Sequence, residues 1–344
     1  MKKILIILLF LASFSLFGCS KSKGFTKTIY VFDTTVTIYL YEGTEDNLND
    51  IVDILNKLHK LTDAYHPYEG ITNIYTINEA IKNGETSFEI DWDLASILLM
   101  PKKTYSIYDG GIIKKLGTYE DVIMLGIGNL TNIWKEAIAS KAIPQEGKIQ
   151  EIVEEIDSEK YDYTISSKTL TVDSNSNVCF DVGSVTKGYA ATKIKEYLGT
   201  KGINKYMIDF GQSTILLGEK ANGKGFNVGV NGTNYVIEDL SYCFVGTASV
   251  LEQKAEIDGK IYHHIIDPKT GYPTNTYDTV VVVSNVISVD YTDLLATFLM
   301  IRPEKAHEIA SAMVGTCGTG KVFSIYFFKD GNLVDRVGIQ WESI

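Results

Sequence analysis

The stretch "HHIIDPKTGYP" at residues 263–273 places two histidines and an aspartate close together in the chain. Successive side chains of a strand face opposite sides, so His263 and His264 are not expected to face one pocket, which makes the pair a poor zinc site. One histidine with Asp267 suits acid/base chemistry instead, because imidazole titrates near neutrality and a carboxylate can orient it. A strand with a merely packed histidine is the alternative interpretation.

The turn "PKTG" at the end of this stretch adds groups that bind anions. The backbone N–H groups up to Gly271 and the hydroxyl of Thr270 could hold an oxyanion. An ordinary β-turn explains the same residues.

A second stretch, "DVGSVTKGYA" at residues 181–190, has features of a phosphate site. A strand ends beside Asp181, Gly183 permits a tight turn, and a helix is predicted to begin near Thr186. The N–H groups at a helix N-terminus suit a phosphate, and Lys187 adds a positive charge. The spacing is not that of a Walker A motif, and a strand-to-helix turn with a surface lysine remains possible.

A third stretch, "YTDLLATFLM" at residues 291–300, combines a carboxylate with a hydroxyl. Asp293 and Thr297 are four positions apart, so they share one face of a helix. Such oxygen ligands suit Mg²⁺, which keeps waters and bridges to phosphates. The alternative is an aspartate near a helix N-terminus and a threonine that bonds back to a carbonyl.

The patterning of the chain predicts an α+β fold with mixed or antiparallel sheets and packed helices, rather than a parallel βαβ series. Residues 28–41 alternate as a hairpin does, and "DTVVVVSN" is typical of a buried strand. Helical spacing is found at 44–65 with Thr44 as N-cap, 92–100, 129–141, 145–165 and 186–202.

The N-terminus predicts export and lipidation. Two lysines and a short apolar run make residues 1–18 a signal peptide. The sequence "LFGC" resembles a bacterial lipobox, so we expect cleavage before Cys19, a lipidated tether at 19–26 and one domain at 27–344. The protein would then be extracytoplasmic and anchored to the bacterial membrane through the lipid on Cys19. An uncleaved signal anchor is the alternative.

The remaining composition excludes several classes of protein. A net charge of −11 argues against nucleic-acid binding. Cys179, Cys243 and Cys317 form no C-x-x-C pair, so neither a disulfide framework nor a zinc ribbon is predicted. We expect these cysteines to be small buried hydrophobic residues.

Taken together, in their order and spacing, "DVGSVTKGYA", "HHIIDPKTGYP" and "DLLAT" resemble the ApbE family of FAD:protein FMN transferases. The resemblance covers most of residues 28–315 and implies an ApbE-like fold. It implies transfer of FMN from FAD to a Thr or Ser hydroxyl of an acceptor protein, with release of AMP.

The resemblance also implies roles for residues. Mg²⁺ would be held by Asp293, Thr297 and a backbone carbonyl near Ser184. His264 would be the general base, with Asp267 orienting or structuring it. The phosphate oxygens would be held by Lys187 and Thr270, in a cofactor-binding set with Asp181, Gly183 and Gly271.

Three departures from the family pattern stand out. Gln212 lies where a glycine is usual, "TASVL" replaces the usual segment at 247–251, and residues 101–127 lack the expected run that helps to enclose the flavin. FAD pyrophosphatase activity, giving FMN and AMP, and a non-catalytic flavin-binding lipoprotein are therefore the alternatives.

Overall fold

The structure is a computed structural model that describes residues 24–100, 106–109, 112–115, 127–157, 163–173, 177–285, 289–314 and 322–338. The predicted signal peptide, Cys19, most of the tether, Cys317 and most of the atypical segment 101–127 lie outside these residues.

The described residues form helices and strands whose bounds are as follows. The helices are α1 Glu45–Thr62, α2 Ile74–Lys82, α3 Trp92–Leu99, α4 Gly128–Ser140, α5 Glu146–Ile156, α6 Gly183–Thr200, α7 Val289–Ile301 and α8 Ala306–Val314. The strands of the first half are β1 Phe25–Val31, β2 Thr34–Leu40, β3 Ser87–Glu89, β4 Ser106–Asp109, β5 Ile112–Lys115, β6 Tyr163–Ser166 and β7 Thr169–Val172. Those of the second half are β8 Tyr206–Phe210, β9 Thr214–Leu217, β10 Phe226–Gly229, β11 Val236–Leu240, β12 Cys243–Ser249, β13 Lys254–Ile257, β14 Lys260–His263, β15 Ile266–Asp267, β16 Tyr272–Pro273, β17 Thr279–Ser284, β18 Phe323–Lys329 and β19 Asn332–Gly338.

One large sheet organises the molecule. It has eight strands in the order β1-β2-β8-β9-β12-β17-β18-β19, and every neighbouring pair in it is antiparallel. The predicted α+β class is therefore confirmed. Since the pairs are antiparallel, the β1–β2 and β8–β9 turns lie at the same end of the sheet as the C-terminus of β12 and the start of β17.

The two faces of the sheet bury different sets of side chains, as the two-residue period of strands requires. In β17, Val280 and Val282 pack into the core formed with the helices, whereas Val281 and Val283 pack into a second core with the β10–β11 hairpin. Helices α6 and α7 pack against each other, and α7 also packs on β12 and β17.

Local signals in the sequence explain most element boundaries. The predicted N-cap Thr44 accepts a hydrogen bond from the N–H of Asn47, whose side chain accepts from the N–H of Thr44, and this capping box starts α1. The predicted hairpin at 28–41 is β1 and β2. Its two-residue turn, Phe32 and Asp33, has the positive φ values that match the twist of a hairpin.

Two predicted boundaries are wrong. Helix α6 begins at Gly183 rather than near Thr186. The helix predicted for 145–165 ends at Ile156, and Tyr163–Ser166 is strand β6, paired with β7. The alternation of Tyr163 and Ile165 with polar neighbours is a strand pattern that the preceding acidic run obscured.

Two further observations concern the described part of the chain. Cys179 and Cys243 are free and buried there, as predicted. No described helix has the length and hydropathy that a membrane span needs.

Candidate active site

A cavity of 560 Å³ lies at the end of the sheet where the β1–β2 and β8–β9 turns meet the C-terminus of β12. Its size falls in the range usual for small-molecule sites. The first turn of α6, one face of α7 and the segment before β15 complete its wall. Seven of the predicted site residues line this cavity: Asp181, Gly183, Ser184, Lys187, His264, Asp293 and Thr297.

Asp293 is a buried carboxylate of the cavity, with 5% of its surface exposed. Its Oδ1 accepts a hydrogen bond of 2.7 Å from the hydroxyl of Thr214, and its Oδ2 accepts one of 3.2 Å from the N–H of Gly188. Burial raises the pKa of Asp293, while the charge of Lys187 and the two hydrogen bonds oppose that rise. A cation beside this carboxylate would stabilise its charged form.

Gly246 allows α7 to lie close enough to the sheet for Asp293 to reach the cavity. A Cβ at this position of β12 would be 2.6 Å from the carbonyl oxygen of Thr292 and 3.0 Å from the N atom of Asp293. Both neighbours are backbone atoms, so they cannot rotate away. The close approach therefore requires glycine.

The first turn of α6 forms the wall beside Asp293. Val182 precedes this helix and offers no side-chain cap, and the Oδ1 of Asp181 accepts a hydrogen bond of 2.8 Å from the N–H of Gly183. Lys187 is half-buried and near enough to affect the pKa values of both Asp293 and His264. The predicted phosphate residue Lys187 is thus brought to the same cavity as the predicted metal residues.

His264 lies on the cavity wall and keeps part of its imidazole open to the cavity. Its pKa is lowered from 6.5 to about 4, mainly because the protein packed around the imidazole excludes water that would stabilise the charged form. The nearby His263 and Lys187 lower it further. A hydrogen bond with the backbone of Glu252 acts in the opposite direction. At neutral pH the imidazole is therefore uncharged and able to take a proton.

His263 has the packing role that strand alternation predicted. It is 2% exposed, its Nε2 donates to the carbonyl oxygen of Thr274, and its Nδ1 accepts from the N–H of Ile265 at 3.2 Å. Both nitrogens are used within the protein in a neutral ring. His263 and His264 thus do not form a shared metal site.

Asp267 does not line the cavity, and the prediction that it orients His264 does not agree with its contacts. Its two oxygens accept hydrogen bonds of 2.9 and 3.0 Å from the guanidinium of Arg302, and Oδ1 also accepts from the N–H of Lys269. A carboxylate engaged in this way shapes the turn after His264. This corresponds to the structuring role that was the other option.

Thr270 and Gly271 also lie outside the cavity wall, in contrast to the predicted oxyanion turn. Their N–H groups donate to the carbonyl oxygen of Asp267 at 3.2 and 2.8 Å, so they close the turn. Gly271 has φ +75, and a Cβ there would lie 2.4 Å from a methyl group of Ile149. Its carbonyl accepts a 2.7 Å hydrogen bond from the indole of Trp134. The turn is a packing element.

Several residues in the cavity wall or directly behind it were not predicted from the sequence as site residues. Thr214, the donor to Asp293, is a fully buried polar residue at the start of the apolar strand "TILL", and that polar exception is a signal that could have found it. Asp209 has its pKa raised by burial and accepts from the N–H of Gln212. Gln212 and Gln253 also line the cavity, and both have a positive φ. No local sequence pattern predicts this backbone conformation for glutamine.

The charge of the cavity is unfavourable for an anion. Among the described lining residues six are carboxylates, and Lys187 is the one lysine. The carboxylates are Asp33, Asp63, Asp181, Asp209, Glu252 and Asp293. A ligand with phosphate groups would therefore need a cation at this site.

The fold and the cavity together define a class of α+β protein with a nucleotide-sized site at one end of an antiparallel sheet. Solved structures share this fold. The flavin transferase ApbE from Vibrio cholerae has a TM-score of 0.67 at 18% identity, with 92% of this chain and 97% of that chain covered. The ApbE protein from Thermotoga maritima has a TM-score of 0.66 at 17% identity, with 91% and 96% covered.

The sequence pattern of the ApbE family matches residues 32–317, and the chain belongs to that family. A FAD:protein FMN transferase of Chlamydia pneumoniae is 23% identical over 290 residues, 82% of this chain and 86% of the relative. One of Klebsiella pneumoniae is 29% identical over 180 residues, 46% of this chain, and the match spans about half (51%) of that relative. The predicted family and fold are confirmed.

Proposed function

We propose that the protein transfers FMN from FAD to a Thr or Ser hydroxyl of an acceptor protein and releases AMP, with the help of Mg²⁺. The observation that carries this proposal is that His264, Lys187 and Asp293 line one cavity in a chain of the ApbE family. The FAD:protein FMN transferases among the relatives support the same reaction.

His264 is the general base of the proposed reaction. Its lowered pKa keeps the imidazole neutral at pH 7, so it can take the proton of the acceptor hydroxyl. The acceptor oxygen then bonds to the phosphorus of the FMN half, the bond of that phosphorus to the bridging oxygen breaks, and the electron pair leaves with AMP. Phosphoryl transfer depends mostly on positioning and charge stabilisation, so few other groups are needed.

The residues around Asp293 fit a magnesium ion. Each Asp293 oxygen accepts one hydrogen bond from the protein and keeps a second lone pair, and Ser184 and Thr297 add oxygens to the same wall. The described residues contain no group of three His, Cys, Asp or Glu side chains that could hold a metal ion. Mg²⁺ can bind through one or two carboxylates plus substrate phosphates. When bound, the ion would neutralise charge on the pyrophosphate.

The first turn of α6 would hold the phosphates. Lys187 supplies a positive charge beside His264 and Asp293. The N–H of Ser184 adds a donor at the helix N-terminus. Asp181 fixes the backbone there through its hydrogen bond to Gly183.

The location of the reaction is part of the proposal. The signal peptide and the lipobox-like "LFGC" support an extracytoplasmic protein that is anchored to the membrane through a lipid on Cys19. Metabolic labelling with a fatty-acid analogue would test this, because wild type should carry the label and Cys19→Ala should not.

The reaction is tested by incubating the protein with FAD, Mg²⁺ and a threonine-containing acceptor domain. We expect covalent flavin fluorescence on the acceptor in a gel and stoichiometric AMP. His264→Ala should abolish both, while His263→Gln, on the adjacent but packed residue, should retain them. Asp293→Asn should remove the dependence on Mg²⁺ together with the activity.

Other outcomes separate the alternatives. AMP and free FMN without labelled acceptor would replace the proposal with FAD pyrophosphatase activity. Bound FAD that remains intact would show a flavin-binding protein. An FAD affinity weaker than millimolar with Mg²⁺ present would contradict every flavin-dependent function.

A further inference from the structure

Gln253 has an unusual backbone conformation for its residue type. It lies between β12 and β13 with a φ of +45, in the left-handed region where a residue other than Gly, Asn or Asp costs about 1 kcal/mol or more. Its side chain is exposed and belongs to the cavity wall. Glycine would adopt this backbone without that cost, so the presence of a glutamine side chain here suggests that the side chain has a function.

The segment before Gln253 is held firmly from the neighbouring strand. The N–H of Val250 donates to the carbonyl oxygen of Asp278 at 2.8 Å. The hydroxyls of Ser249 and Thr279 are 2.9 Å apart, and the N–H of Leu251 donates to the Ser249 hydroxyl at 3.2 Å. These bonds fix the direction in which the chain enters position 253.

Gln253 is also placed beside the proposed base. The backbone of the preceding residue, Glu252, is near enough to the His264 imidazole to raise its pKa. In the β13–β14 pair Lys254 lies opposite His263, so Gln253 and His264 occupy the positions just beyond this end of the two strands. Among the described residues the Gln253 amide has no hydrogen-bond partner of its own.

We infer that the side-chain amide of Gln253 binds the main chain of the acceptor segment next to its reacting Thr or Ser. This inference rests on the proposed function. The acceptor hydroxyl must reach His264, and its residue brings a C=O and an N–H into the same place. A glutamine amide donates and accepts at once, which matches that pair. The proposed function assigns the FAD phosphates to Lys187 and Asp293, so we assign the amide to the acceptor, and separate KM values for the two substrates test this choice.

The test uses short synthetic peptides with a single central threonine as acceptors, and measures KM separately for peptide and for FAD. We expect Gln253→Ala to raise the peptide KM about tenfold, as for the loss of one or two hydrogen bonds, and to change the FAD KM less than about twofold. The matched control is Gln212→Ala, which removes the same amide from a left-handed position on the β8–β9 turn and should not raise the peptide KM selectively.

Peptides N-methylated beside the threonine give a second measurement. Methylation should weaken wild type strongly and Gln253→Ala little, because the lost N–H has its partner only in wild type. Gln253→Gly removes the backbone strain, so its melting temperature should not fall, and its peptide KM should rise as in the alanine variant.

The possible failures are distinguishable. Equal peptide KM values for wild type and Gln253→Ala would overturn the role of Gln253 alone. Wild type that releases no AMP and labels no peptide would overturn the proposed function, and the inference with it.

Discussion

Arg302 and Asp267 form a two-pronged ion pair, with Nη1 2.9 Å from Oδ2 and Nη2 3.0 Å from Oδ1. The pair joins the residue after α7 to the turn after His264. Because α7 carries Asp293 and Thr297, the pair links the proposed metal-binding helix to the segment of the proposed base. Both side chains are less than one-fifth exposed, so solvent screens the pair only in part.

Breaking this pair should destabilise the turn. We expect Arg302→Met and Asp267→Asn each to lower the free energy of unfolding by about 2 kcal/mol, less than for a fully buried pair, and to lower kcat. Urea unfolding and kinetics of the single and double variants measure this. Clearly subadditive losses would show that both residues act through one contact. If Asp267→Asn abolished activity and Arg302→Met did not, the result would support the other prediction, that Asp267 orients His264.

Asp293→Asn should separate stability from metal binding. Burial raises the pKa of Asp293, so keeping its charge above that pKa costs folding free energy, and a neutral amide avoids the cost. The asparagine can still accept from Gly188 and donate to the Thr214 hydroxyl. In scanning calorimetry without Mg²⁺ at pH 8, the variant should melt at or above the wild-type temperature. It should also lose the upward shift that Mg²⁺ with FAD gives wild type.

The pH profile of the reaction should have its acid limb far below the usual range of histidine. The pKa of His264 is lowered to about 4, first by burial and then by His263 and Lys187. The base is therefore in its active form above about pH 5. Lys187→Met should lower the rate and also move the acid limb of kcat/KM to higher pH, because one positive charge beside the imidazole is lost. Lys254→Met is the control, since Lys254 affects His263. An acid limb near pH 6.5 in wild type would contradict the assignment.

The sequence was sufficient for features that depend on short-range patterns. Helical spacing and the Thr44 cap located α1, and strand alternation assigned His263 to packing and His264 to the pocket. The three family stretches brought Lys187, His264 and Asp293 to one cavity, because each stretch is local and contains its own turn or helix start.

Contacts between distant segments were beyond such reasoning. Arg302 lies 35 positions from Asp267, and a nearby histidine is a plausible partner when pairing is unknown. Thr214 of β9 donates a hydrogen bond to Asp293 of α7, and Gly246 of β12 leaves room for the backbone of α7. Both roles depend on how closely the helix approaches the sheet. The residues before Gln253 are hydrogen-bonded to Asp278 and Thr279 of a distant segment. The left-handed backbone of Gln253 therefore cannot be predicted from the local sequence.

His263 should make stability depend on pH. Its pKa is lowered from 6.5 to about 4, mainly by burial. Between these two pH values the histidine is protonated in the unfolded chain but not in the folded chain. Stability present above pH 6.5 is lost as pH falls toward 4, and by pH 5 the loss is about 2 kcal/mol. His263→Gln, whose amide can still donate to Thr274, should show a smaller loss in urea unfolding at pH 7 and 5. Equal losses in the two proteins would assign the dependence to other groups.

Gly246→Ala tests whether the approach of α7 to the sheet positions Asp293. The added methyl group would lie within 3 Å of the Thr292 carbonyl and the Asp293 N atom, so the helix must shift. We expect a loss of about 1–3 kcal/mol in the free energy of unfolding and weaker binding of FAD with Mg²⁺, measured by titration. Gly199→Ala is the control, because a Cβ there meets nothing within 4 Å and Gly199 does not line the cavity. If Gly246→Ala bound FAD and Mg²⁺ like wild type, the position of Asp293 would not depend on this contact.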